Sequence, residues 1–259
     1  MQKRERSAAT AQLRSLQRIW DDLARSDPLW AVLTAPDKRG KRWDPAEFFR
    51  TGVDAVDGVL GEARARGLSI GRHRALDFGC GVGRLTQALA RHFDEVWGVD
   101  IAPAMIELAK SYNRYGERCR YVPNETGDLG GFADGHFDFI LSLITLQHMP
   151  PQTAKGYLRE FVRVLARGGV LIFQAAAEPT ALPKGSVARL GRAVGGLVPA
   201  GLCRAYRTLR DGHCIDMHGI PREEVTKLLS ENGASVLEAL EDTSAGGEWT
   251  SFHYFARKQ

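Results

Sequence analysis

A short apolar run, Arg74 to Phe78, passes directly into Gly79-Cys80-Gly81-Val82-Gly83 and then into a helix-forming stretch, Leu85 to His92. Few features restrict a chain more. Alternating glycines allow positive φ and let a ligand approach the backbone closely, and a strand–loop–helix unit of this kind belongs to a parallel α/β sheet. A tight structural turn also uses glycine, but three alternating glycines directly after a strand favour a cofactor loop.

The surrounding pattern agrees. Strand-like runs at Glu95–Val99, Cys119–Val122, Phe137–Leu143 and Val170–Gln174 alternate with helical stretches after Pro103 and Pro151, the latter expected to stop at Gly168-Gly169. Strands and helices in this rhythm imply a parallel sheet covered on both faces. The C-terminal part breaks the rhythm. A helix from Pro221 to Ser230 is followed by two strands, Ser235–Leu240 and Thr250–Ala256, joined by a short Gly-rich connection that predicts an antiparallel hairpin. Ahead of the sheet, helices are expected at Ala8–Arg25 and Pro45–Arg66. The resulting organisation is a helical cap over 1–66, a core over 67–174, an insert over 175–218 and a completing helix and hairpin over 219–259.

Composition excludes rather than identifies. The chain has 259 residues, 44% apolar and 25% charged, with a formal charge of +4, so it has the makings of one large soluble domain and no strong case for nucleic acid. No apolar run is long enough to cross a bilayer, and the N-terminus lacks the apolar core of a secretory signal. Cys80, Cys119, Cys203 and Cys214 have neither metal-type spacing nor a compact disulfide framework, and read as reduced thiols of a cytoplasmic protein. No metal site is expected; Asp211, His213 and Asp216 form at most a weak O/N cluster.

The ligand of the glycine loop is constrained by three residues and one topological feature. Asp100 ends the second strand, 21 positions after Gly79, where a carboxylate can take the ribose hydroxyls of a nucleoside. Dinucleotide enzymes share that device. Arg84, however, stands where the dinucleotide fingerprint requires its third glycine. Asp77 puts a negative charge at the mouth of the loop, which suits a cationic ligand better than a pyrophosphate. The terminal hairpin also departs from the parallel continuation of a dinucleotide fold.

Ala75-Leu76-Asp77-Phe78-Gly79-Cys80-Gly81-Val82-Gly83-Arg84-Leu85-Thr86 resembles the first motif of class I S-adenosylmethionine (SAM)-dependent methyltransferases. Asp100-Ile101-Ala102-Pro103-Ala104-Met105-Ile106, Phe137-Asp138-Phe139-Ile140 and Arg163-Val164-Leu165-Ala166-Arg167-Gly168-Gly169 resemble further segments of that family. The resemblance implies a Rossmann-like α/β fold, with a seven-stranded, mostly parallel sheet ending in an antiparallel hairpin, and SAM as cofactor. It further implies that Gly79, Cys80, Gly81 and Gly83 form the methionine cradle, with Asp77 ordering it. Asp100 would bind the ribose, Ile101 would lie against the adenine, Met105 would also contact the cofactor, Glu125 or Asn124 would meet adenine N6, and the Leu143 carbonyl would face the ammonium group.

Such an enzyme would act on a small-molecule acceptor, with oxygen favoured over nitrogen and a sugar or natural-product scaffold as the expected class. An alcohol acceptor needs a base, and His148, His218 and His213 are the candidates; packing beside the cofactor is the plainer role for His148. The N-terminal helices, with Trp43, Phe48 and Phe49, resemble the caps that close over SAM in that family. The insert carries Lys184, Arg189, Arg192, Arg204, Arg207 and Arg210, which suggests either a solvated helical face or a lid touching an anionic acceptor or a membrane surface. An RNA or protein methyltransferase, a non-catalytic SAM-binding protein and an NAD-type oxidoreductase are the alternatives.

Overall fold

The computed structural model describes residues 2–180, 216–246 and 248–259. Seven strands form one sheet in the order β3-β2-β1-β4-β5-β7-β6. They are β1 (Arg74–Phe78), β2 (Glu95–Asp100), β3 (Cys119–Pro123), β4 (Phe137–Ser142), β5 (Leu165–Pro179), β6 (Ala234–Asp242) and β7 (Trp249–Lys258). The first five strands run parallel, and β7 pairs antiparallel with both β5 and β6. The strand order reverses at β1, where chain connections leave to opposite faces and a crevice opens at the strands' C-terminal ends.

Both faces are covered. On one, α3 (Pro45–Ala65) and α4 (Arg84–Leu89) bury Val56, Leu60, Leu85 and Leu89 against Phe139 and Ile172. On the other, α6 (Pro151–Val164) and α7 (Arg222–Glu231) bury Tyr157, Phe161, Val225 and Leu229 against Phe78 and Phe173. Local chemistry sets the helix starts. Pro45 opens α3 behind Asp44, whose side chain accepts a hydrogen bond from the Glu47 amide at 2.9 Å. Glu223 and Glu224 occupy the first turn of α7, where the helix dipole favours them.

Two of the boundaries that differ from expectation concern β5. Helix α6 ends at Val164 rather than at Gly168-Gly169, because Leu165 already pairs with Phe137 and begins β5. The extra residues are absorbed as an irregularity, with Gly168 at φ 74°. Ala175 to Pro179, assigned to the insert by sequence, continue β5 beside Phe252 to Trp249 of β7. Residues 181–215 of the insert, with its arginines and His213, lie outside the described residues. Among the described residues no helix is long and apolar enough to cross a membrane.

The N-terminal helices α1 (Gln2–Ser26) and α2 (Pro28–Val32) lie across the crevice. The Asp21 carboxylate accepts the Ala104 amide at 2.9 Å, fastening α1 to the start of α5 (Pro103–Tyr112). Trp43, Phe48 and Phe49 are not the residues that close the crevice. They form an edge-to-face aromatic cluster against α5, with Phe48 fully buried. Leu13, Leu16 and Trp20 of α1 face the crevice instead.

Candidate active site

The crevice encloses a cavity of about 470 Å³. The glycine loop forms its floor, with φ of 81° at Gly79, 52° at Gly81 and 84° at Gly83. The loop is stitched to β2: the Gly79 and Cys80 amides donate to the Val99 carbonyl at 2.8 and 3.0 Å, and the Gly81 amide donates to Asp100 Oδ2 at 2.9 Å. Asp100 Oδ1 accepts the Ala102 amide at 2.9 Å. Desolvation raises the Asp100 carboxyl, while the Ala102 and Gly81 amides oppose that rise. A carboxylate with two amides bound retains lone pairs for two more donors, and Asp100 lines the cavity.

Gly79, Cys80, Gly81, Asp100, Ile101, Met105, Asn124, Leu143 and His148 are thus brought around one space. Other sequence-selected residues stand elsewhere. Asp77 is not at the loop's mouth: it is buried beneath it, does not line the cavity, and accepts from Thr86 Oγ1 at 2.6 Å. Gly83 also lies behind the cavity, where an added Cβ would come within 2.6 Å of the Tyr121 hydroxyl. Glu125 is exposed and accepts from Gln17 of α1 at 2.9 Å, so the neighbouring Asn124 is the residue that reaches the cavity. The His218 ring does not line the cavity, although its amide donates to the Gln147 carbonyl at 2.8 Å. His253 of β7 pairs with Asp242 at 2.9 Å.

Burial raises Asp77 to about 6, from 3.8 in an unfolded chain. The protonated form is therefore favoured in the fold, and this stabilisation is complete below pH 3.8 and lost as pH rises through about 6. Its size is about 3 kcal/mol. Urea unfolding of the wild type and Asp77→Ala across pH 4 to 7.5 should show the wild type's relative advantage shrinking by up to that amount. A pH-independent difference would contradict this account of Asp77.

Sequence reasoning missed the far wall. Ile144 holds φ 54°, a costly conformation for a β-branched residue, with its amide donating to Gln174 Oε1 at 3.2 Å. Gln174 Nε2 donates in turn to Gln147 Oε1 at 3.1 Å, and both glutamines are buried. The visible signal was a glutamine ending the apolar run Val170-Leu171-Ile172-Phe173. His148 stands next to this pair, its ring edge-on to Trp20 at 5.4 Å and its Nδ1 buried without a hydrogen-bond partner. Desolvation lowers it to about 4, so the imidazole is neutral near pH 7 and weakly basic. Among the described residues no group of three His, Cys, Asp or Glu side chains could hold a metal ion.

Residues 76–173, the segment that builds the loop, Asp100 and the β4–β5 wall, match the family model for a methyltransferase domain. The match covers less than half of the chain and shows the likeness of this segment to methyltransferase domains. The ubiquinone biosynthesis O-methyltransferase of Xanthomonas euvesicatoria pv. vesicatoria is 30% identical over 131 residues, covering 50% of this chain and 54% of that protein. Its counterpart in Xanthomonas oryzae pv. oryzae is 29% identical over the same shares. The chain thus spans about half the length of these curated relatives. The magnesium protoporphyrin IX methyltransferase of Synechocystis PCC 6803, solved with SAH (S-adenosylhomocysteine) bound, superposes with a TM-score of 0.65 at 20% identity, covering 96% of this chain and 100% of that one. The [4+2]-cyclase SpnF superposes at 0.55 with 18% identity, covering 79% and 82%. At these identities the superpositions establish the fold of the methyltransferase domain and not its chemistry.

Proposed function

We propose that the chain is a SAM-dependent methyltransferase acting on an oxygen of a small organic molecule. One observation carries the reading: the glycine loop, Asp100 and a largely apolar wall border a single cavity. In this reading Asp100 accepts both ribose hydroxyls, Ile101 and Met105 flank the adenine, and Asn124 meets its edge. The carbonyls of the loop and of Leu143 face the ammonium group; Leu143 already accepts Thr145 Oγ1 at 3.0 Å and keeps a second lone pair.

SAM supplies the electrophilic methyl group when bound, so the protein's contribution is alignment and exclusion of water. Trp20, Leu16, Met149, Met217 and Ala245 provide an apolar enclosure for that purpose. They favour an acceptor with an apolar body, which supports a natural-product scaffold over a bare sugar. The O-methyltransferase names of the curated relatives support oxygen as the attacked atom. His148, neutral and weakly basic, is suited to accept a hydrogen bond from the acceptor hydroxyl and orient it.

The test is transfer of an isotopically labelled methyl from SAM to a panel of phenols, hydroxylated scaffolds, amines and RNA, read by mass spectrometry. Label on an oxygen of a small molecule, with equimolar SAH, is the expected result; label on RNA or amines alone would reject it. Thermal protection by SAH and none by NAD is expected alongside. With an active acceptor, kcat/KM should show no inflection between pH 6 and 8 that vanishes in His148→Asn. Such an inflection would make His148 a general base of ordinary strength.

A further inference from the structure

Two buried carboxamides, Gln174 and Gln147, stand in a chain whose direction is fixed at one end. Ser142 of β4 pairs with Phe173 of β5, so Gln174 lies just past the end of β4, where Ile144 turns away at φ 54°. The Ile144 amide can only donate, so the Gln174 atom 3.2 Å from it is the carbonyl oxygen, Oε1. Gln174 therefore turns its Nε2 to Gln147, which answers with its own Oε1 at 3.1 Å. That leaves Gln147 Nε2, a group with donors and no lone pair, against His148 Nε2 at 3.5 Å. Reversing either amide would set donor against donor or acceptor against acceptor at a buried link, where a mismatch is costly.

The chain ends on an imidazole. The His148 ring is neutral near pH 7, so one nitrogen carries the proton and the other a lone pair. The Asp216 backbone favours a proton on this ring; the glutamines decide which nitrogen takes it. Facing the Gln147 donors, Nε2 is stable as the lone-pair atom, since an Nε2–H would again point donor at donor. Nδ1 is buried without a partner and sets no preference through a hydrogen bond of its own. At 3.5 Å the Gln147 contact is long, so an incoming hydroxyl can share or take over the same lone pair. Gln147 and His148 line the cavity and Gln174 does not, so Gln174 acts on the cavity only through Gln147.

We propose that Gln174 and Gln147 are positioning residues that hold His148 in its Nδ1–H tautomer, keeping the Nε2 lone pair for a hydroxyl donor of the methyl acceptor. The role toward an acceptor rests on the SAM reading of the cavity; the tautomer does not. Two-bond proton–nitrogen NMR correlation of the full chain, labelled with nitrogen-15 histidine, distinguishes a protonated ring nitrogen from one with a lone pair. Loss of signals in His148→Asn identifies those of His148. Near pH 7.5 the wild type should show the lone pair at Nε2 and the proton at Nδ1. Gln147→Met should move the tautomer ratio toward Nε2–H by roughly fivefold or more, the worth of one neutral hydrogen bond. Gln174→Met releases the Gln147 amide to rotate and should move the ratio the same way. Wild-type His148 protonated at Nε2, or an unchanged ratio in Gln147→Met, overturns the proposal. If the variants do not fold, the wild-type spectrum decides alone. SAH binding to the same sample tests the reading beneath. The Nδ1–H form without SAH binding would reject the SAM reading, and with it the role toward an acceptor; the Nε2–H form with SAH bound would reject the glutamine chain alone.

Discussion

Asp100→Ala is expected to lower SAH affinity by about 100-fold or more. Two hydroxyl donors to one ionised carboxylate are each worth about 1.5–3 kcal/mol, and 1.4 kcal/mol is tenfold. The same carboxylate accepts the Gly81 and Ala102 amides, so the variant should also lose about 1–3 kcal/mol of stability for each donor left buried. The two effects can be separated on the ligand side. An SAH analogue lacking both ribose hydroxyls should bind wild type and variant with similar affinity, whereas general damage to the cradle would weaken it further in the variant. Retention of SAH binding within fivefold would remove the ribose from Asp100.

The parts of the molecule set by short-range chemistry were legible from sequence. The strand–glycine loop–helix at Arg74–Leu89 and the hairpin after α7 each follow from period, turn residues and β-propensity within one segment. Asp100 was legible because its place at a strand's C-terminal end fixes where its side chain emerges. Asp77 shows where that logic stopped. Residues of a strand alternate between faces, and the face beneath this loop is occupied by Thr86. Its charge therefore points into the protein rather than to the mouth. Glu125 illustrates another limit: the residue nearest the expected chemistry was drawn outward by Gln17, from a helix 108 positions away in sequence.

Which residues of the N-terminal helices face the cavity was not legible, for a related reason. Aromatic residues mark buried surface without saying which cavity they border, and Trp43, Phe48 and Phe49 spend theirs on α5. Leu13, Leu16 and Trp20 of α1 follow a helical period in the sequence, but only tertiary packing shows that they cover the site. Ile144 had no sequence signal for its positive φ, since β-branched residues argue for the opposite conformation.

The steepest stability loss is expected at the first glycine of the loop. Gly79 sits at φ 81°, and an added Cβ would overlap Thr145 Oγ1 and Cγ2 and lie 2.8 Å from Thr145 Cβ, so rotating the threonine cannot relieve it. Thr145 is also held in place, with its hydroxyl donating to Phe78 O and Leu143 O at 3.3 and 3.0 Å. Gly79→Ala should therefore cost about 1–2 kcal/mol for the left-handed backbone and about 1–3 kcal/mol for the overlap. Urea denaturation of the single variants and of Gly79→Ala/Thr145→Gly separates the two parts. The double variant should recover the steric share as a coupling energy, and leave the dihedral share in place. Additive losses would mean that the β4 loop moves freely away from the glycine loop. The close seating of Thr145 on Gly79, which fixes Leu143 and Ile144 at the cavity wall, would then not be a constraint of the fold.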